Sequence, residues 1–155
     1  MKIMDFLSKN AILADLKSTK KDDVIKEMVD LLISAGEIDK STRAKVIDSL
    51  MERESLGSTA IGQGIAIPHA KTDSVQKLVG AFALSKKGVE FDSLDGEPVY
   101  IFFMLLAAQD SAGPHLKALA RISRLFKDKY FRDSLRNSVD EKAIVKVISQ
   151  EDEKL

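Results

Sequence analysis

The period of the hydrophobic pattern changes twice along this chain. In the first third, Val24, Ile25, Met28, Val29, Leu31 and Leu32 recur at helical spacing, and Gly36 stands where a helix would stop. Thr19 is the expected N-cap. Asp22 and Asp23 follow in the first turn, where the helix dipole favours negative charge. A second helix is expected from about Lys40 to Arg53, capped by Asp39, with Ile47, Leu50 and Met51 facing the core. The middle of the chain then shortens its apolar segments. Ile65 to Ile67, Leu78 to Leu84 and Val99 to Leu106 are separated by Gly, Asp and Ser, and Val89 to Phe91 is a shorter strand candidate. Tyr100 to Leu106 is apolar throughout, as expected for a strand covered on both faces, so Phe102 and Phe103 read as core.

Helical spacing returns after Pro114. Leu116, Leu119, Ile122 and Phe126 mark one helix, and Phe131 with Leu135 a short second. Ser138 and Glu141 read as a capping box ahead of Ile144, Val147 and Ile148. Two helices, several strands and two or three further helices make an α/β chain with a central sheet flanked by helices, the strand pairing left open. The length suits one compact domain, and no repeat or low-complexity linker divides it.

Composition narrows the chemistry. Cysteine is absent, which removes disulfides, thiolate metal sites and cysteine nucleophiles together. Lys plus Arg equals Asp plus Glu, 24 against 24, so no basic footprint for nucleic acid is present. Met1 to Asn10 alternates polar and apolar residues and has no signal-peptide core. The longest apolar run, Val99 to Ala108, is about half of what a membrane-spanning helix requires, so no direct membrane insertion is expected. The protein is expected to be cytoplasmic.

Two histidines stand out because there are only two. His69 ends the run Gly62-Gln63-Gly64-Ile65-Ala66-Ile67-Pro68-His69, and His115 follows Gly113-Pro114. Imidazole titrates nearest neutrality and serves as nucleophile, base or ligand; a histidine of an α/β protein also often just satisfies backbone groups. Pro114 suits the first turn of the following helix, with Gly113 or Ser111 as its cap. His115 would then lie beside a helix N-terminus, which attracts anions and whose dipole disfavours imidazolium. Arg53 offers a planar, permanently charged fork for oxyanions, and it equally suits the last turn of a helix.

Arg53-Glu54, Ser58-Thr59, Gly62, Gly64 and Ile65-Ala66-Ile67-Pro68-His69 together resemble the signature of the fructose/mannitol-type IIA phosphocarriers. These belong to the bacterial sugar phosphotransferase system and include nitrogen-regulatory IIA paralogues. The resemblance extends through Phe91-Asp92-Ser93-Leu94-Asp95-Gly96 and Pro98-Val99 to His115-Leu116 and the C-terminal helices, so residues 1–155 read as a single IIA domain. It implies a mixed, mainly five-stranded sheet with helices on both sides, and a phosphohistidine relay with neither cofactor nor metal. His69 would accept a phosphoryl group from the phosphocarrier HPr and pass it to a cysteine of a IIB component. Arg53 and His115 would stabilise the transferring group. With no cysteine and no membrane span here, IIB is expected on a separate chain. Three rival readings stand beside this one. A metal hydrolase would use the histidines with Asp73 or Asp110, but they lack a short paired spacing. A serine hydrolase lacks a nucleophile-elbow pattern around Ser58 or Ser111. A regulatory protein of the same fold, phosphorylated at His69 and read by its targets, is the alternative to a carrier for sugar uptake.

Overall fold

The computed structural model describes all 155 residues. Strand β1 (Leu7–Leu13) precedes helices α1 (Lys21–Ser34) and α2 (Arg43–Ser55). Three short strands follow: β2 (Ala60–Gly62), β3 (Ile65–Ala66) and β4 (His69–Thr72). Two long strands, β5 (Val79–Val89) and β6 (Val99–Ala108), lead into helices α3 (Ala112–Leu125), α4 (Lys129–Arg136) and α5 (Glu141–Glu153). The sheet order is β1-β5-β6-β3-β2, and β4 also pairs with β6. It is a mixed sheet: β5 with β6 and β2 with β3 run antiparallel, whereas β1 runs parallel to β5, and β3 and β4 run parallel to β6.

The count of strands turns on Pro68. Strand β3 sets Ile65 beside Ile101 and Ala66 beside Phe102, and β4 resumes in the same register with His69 beside Leu105. Proline has no N–H for the ladder, so one line of chain is divided into two strands. Six hydrogen-bonded strands therefore fill five positions. The Pro68 carbonyl still accepts from Leu105 N at 2.9 Å.

Strand β6 is buried along nearly its whole length and sends alternate side chains into two cores. Phe102, Met104 and Leu106 pack with Val24, Met28 and Leu50 of α1 and α2. Ile101, Phe103 and Leu105 pack with Ala118, Ile122, Leu135 and Ile148 of the C-terminal helices. Each fully buried side chain of this kind contributes about 1.5–3 kcal/mol. The two-sided layering is what a continuous apolar strand requires.

Several boundaries differ from the sequence expectation. Strand β1 was not legible, because Ser8, Lys9 and Asn10 are partly or fully exposed and the register against β5 shifts between Leu7 and Ile12. Val79 to Leu84 and Val89 belong to one strand, β5, interrupted by a bulge at which Gly88 takes φ +86°. A side chain there would meet the Tyr100 ring at 2.9 Å. Thr19 does not cap α1; Lys20 holds that position without a side-chain bond. Asp39 does cap, accepting from Ser41 N, but the turn it opens is a 3-10 turn (Lys40–Thr42), and α2 starts at Arg43. Asp140, not Ser138, caps α5 by accepting from Ala143 N, and the Ser138 hydroxyl donates to the Ser134 carbonyl. Leu116 is not core: α3 buries His115, Ala118, Ile122 and Leu125. A pattern that counts histidine as polar misplaces that stripe by one residue.

Candidate functional site

Parallel partners project to the same face of a sheet, so His69 and Lys71 of β4 share the face of Leu105 and Ala107, toward α3. The chain leaves β6 at Ala108 and enters α3 at Ala112, which carries His115 to the same end of the sheet. Helix α2 brings Arg53 there in its last turn. The three residues singled out from the sequence line one open cavity of about 610 Å³, together with Lys71, Leu56 and Leu116. The carboxyl end of a strand is the usual binding position of an α/β sheet.

The imidazole rings of His69 and His115 meet edge to face, with centroids 5.4 Å apart and planes at 75°. His69 Nδ1 lies 2.7 Å from the Ile67 carbonyl oxygen. A carbonyl only accepts, so Nδ1 donates the proton and the free lone pair of the neutral ring is at Nε2. Burial lowers the His69 pKa, opposed by the Ile67 hydrogen bond; the charge of Arg53 lowers it further and that of Glu54 raises it. His115 is buried, and its Nδ1 has no hydrogen-bond partner. Its pKa is lowered to about 4, first by burial and then by the charges of His69 and Lys71. Both rings are neutral at pH 7. Desolvation is the largest of these causes.

Arg53 lies in the last turn of α2 and also faces the cavity. Its Nη1 donates to the Gly57 carbonyl at 2.8 Å, closing the end of α2, while the residue lines the cavity. The glycines of the motif do something else. Gly62, Gln63 and Gly64 all take positive φ and turn β2 into β3, and Gln63 N donates to Asp95. None of the three lines the cavity. Ser58 and Thr59 are also committed elsewhere: Ser58 Oγ donates to the Phe91 carbonyl, and Thr59 Oγ1 donates to Glu54.

Sequence reasoning missed Lys71 and Glu54 as neighbours of the site. Lys71 had a signal, since His-x-Lys on a strand puts both side chains on one face. Glu54 had only its place in the Arg53-Glu54 pair of the motif, and beside an arginine a carboxylate otherwise reads as helix surface. Leu56 and Leu116, 82% and 67% exposed, give the cavity an apolar rim. No group of three histidine, aspartate or glutamate side chains is gathered in a metal-binding arrangement, and Asp73 pairs with Lys45. No helix is long and apolar enough to cross a membrane.

Comparison with known proteins agrees with this geometry. The chain is 42% identical over 152 residues to the PTS system fructose-specific EIIABC component of Bacillus subtilis, covering 98% of this chain but 24% of that protein. It is 40% identical over 149 residues to the nitrogen regulatory protein of Bradyrhizobium diazoefficiens, covering 96% of this chain and 95% of that one. The crystal structure of nitrogen regulatory protein IIA-Ntr from Neisseria meningitidis superimposes with a TM-score of 0.85 at 32% identity, covering 94% of this chain and 98% of that one. Residues 5–151 match the model of the phosphoenolpyruvate-dependent sugar phosphotransferase system EIIA 2 family, and the chain belongs to that family of phosphotransferase components.

Proposed function

We propose that this protein is a phosphohistidine carrier: His69 accepts a phosphoryl group from an HPr-type donor and passes it to a cysteine of a IIB component for sugar uptake. The observation that carries this reading is the 2.7 Å contact between His69 Nδ1 and the Ile67 carbonyl. It favours the tautomer with the proton on Nδ1, which leaves the Nε2 lone pair available as nucleophile in a ring that lines the cavity. The Nε2 lone pair attacks phosphorus, the Nε2–P bond forms, and the bond to the donor breaks with its electron pair leaving on the donor. In the second step a cysteine thiolate attacks the same phosphorus and neutral His69 is released. These 155 residues hold no cysteine, so the acceptor lies outside them.

Phosphoryl transfer depends mainly on positioning and on neutralising charge on the equatorial oxygens. Arg53 supplies the charge. Neutral His115 supplies a hydrogen-bond donor without competing for the phosphoryl group. The apolar rim of Leu56 and Leu116 supports docking of donor and acceptor, which must be transient in a relay.

Likeness to the nitrogen regulatory proteins favours a second reading, in which the same His69 is phosphorylated and its state controls binding to regulatory targets. A phosphoryl group changes local charge by about −1.5 to −2, enough to remodel a docking surface. One experiment separates the readings. Incubation with a phosphoenolpyruvate-driven HPr system should add one acid-labile, base-stable phosphate; label surviving on His69→Ala sinks both. The phosphorylated protein is then mixed with candidate IIB components. Transfer to cysteine establishes the carrier. If no IIB accepts while phosphorylation alters affinity for a regulator, the second reading stands.

A further inference from the structure

Glu54 is next in sequence to Arg53, yet its side chain points the other way and is buried, 2% exposed. Its Oε1 accepts from Thr59 N at 3.1 Å and pairs with Lys21 Nζ at 2.9 Å, and its Oε2 accepts from the Thr59 hydroxyl. Lys21 Nζ also lies 4.8 Å from the centre of the Phe91 ring and 3.6 Å from an Asp92 oxygen. One carboxylate thus joins the start of α1, the end of α2 and the approach to β2. Burying an ion pair is costly, and well-packed apolar side chains of the same volume hold elements together as well. What the carboxylate adds is direction. It accepts along fixed lines, and charge-assisted bonds are the stronger kind.

Those directions converge on the loop that holds Arg53. Between Glu54 and Thr59 the chain passes through Ser55, Leu56 and Gly57, all exposed, and no side chain there is buried to hold the loop. Its course depends on the helix-end bonds Leu56 N to Arg53 O and Gly57 N to Glu54 O, on the Ser58 hydroxyl that donates to the Phe91 carbonyl, and on the clamp at Thr59. The Gly57 carbonyl that receives Arg53 Nη1 lies two residues before that clamp.

We propose that Glu54 is a positioning residue for phosphoryl transfer: through Thr59 it holds the Gly57 carbonyl, and through that carbonyl the Arg53 guanidinium, beside His69. The proposal rests on the carrier reading of Arg53 and His69. It also accounts for the two Thr59 donors, which serve Glu54 and not the cavity. The Glu54 charge acts on the His69 ring as well, against that of Arg53.

The test is a double-mutant cycle with a second measurement that needs no phosphate. Thr59→Val removes the hydroxyl while leaving the Glu54–Lys21 pair, and should slow phosphorylation by HPr about tenfold, in maximal rate rather than in half-saturation. Thr59→Ser, which keeps the hydroxyl, should restore the rate. In an Arg53→Ala background, Thr59→Val should cost nothing further, because it acts through Arg53. Costs that multiply in the double variant, or a wild-type rate for Thr59→Val, overturn the proposal. In unphosphorylated protein, rotation of the Arg53 guanidinium followed by ¹⁵N NMR should be slow, and fast in Thr59→Val and Glu54→Gln. Equal rotation in all three overturns it too, whether or not either variant is stable enough for the transfer assay. If wild-type protein takes no label on His69, the carrier reading fails, and the guanidinium measurement still decides whether Glu54 positions Arg53.

Discussion

His69 and His115 carry the same ring, 5.4 Å apart, in opposite surroundings. His69 opens a short strand, is half-buried, and has one nitrogen committed to a backbone carbonyl. His115 lies in the first turns of a helix, is buried, and has a nitrogen with no partner at all. A backbone acceptor favours one tautomer of His69 and leaves the free lone pair at Nε2. Burial without a partner makes protonation of His115 costly and leaves a ring that stays neutral well below pH 7. Leaving a buried polar group unpaired costs about 1–3 kcal/mol, the kind of expense that structures carry at sites and not in ordinary cores. Residue type is shared; the neighbours assign the role.

The comparison breaks most sharply at His69. His69→Ala should lose all acid-labile label, measured by phosphate incorporation from the HPr system; any label that moves to His115 would show the rings to be interchangeable. Next come the groups proposed to assist. His115→Ala and Arg53→Ala should keep the label on His69 and acquire it about a hundredfold more slowly, about 3 kcal/mol of lost stabilisation. A wild-type rate in either variant removes that residue from the mechanism.

A third prediction uses proton linkage. The unfolded His115 titrates near 6.5 and the folded one at about 4, so the unfolded state takes up its proton first as pH falls. Stability from this group is therefore present above about pH 6.5 and lost progressively toward pH 4. Between pH 7.5 and 5 the loss is about 2 kcal/mol. Urea unfolding of the wild type against His115→Gln should show that excess pH dependence in the wild type alone; parallel pH slopes would rule it out. The smallest effect sharpens the contrast between the rings. In His69→Gln the second-largest cause of the His115 shift is gone, so His115 should titrate upward toward the ordinary value while remaining below it, as followed by imidazole NMR. An unchanged titration would mean that burial and Lys71 account for the whole shift.

The parts of the fold legible in the sequence were those whose signal is periodic and local. The stripes of α1 and α2 and the unbroken apolar run of β6 were read correctly because burial on one side or on two leaves its mark residue by residue. Strand β1 hid behind Ser8, Lys9 and Asn10 at a bulged sheet edge, and β4 behind His69 and Lys71, which face the cavity. Caps failed where a neighbour outcompeted the residue favoured by pattern, as Asp140 did at α5. Leu116 failed because the helix spends a buried position on His115, leaving a leucine on the rim of the site.

The sequence by itself marked out the candidate residues. Motif and residue type single out Arg53, His69 and His115, and all three line one cavity. It also determined the layering, since an apolar β6 demands cover on both faces. What only the tertiary structure decided is how those side chains are held. The His69 tautomer depends on where a carbonyl two residues away is pointed by a proline-broken strand. The neutrality of His115 depends on how much chain from distant elements excludes water around it. The Arg53 fork depends on a loop tied to a buried carboxylate that reads, in sequence, as helix surface. Direction and desolvation are properties of atoms brought together across the chain, and no spacing within it encodes them.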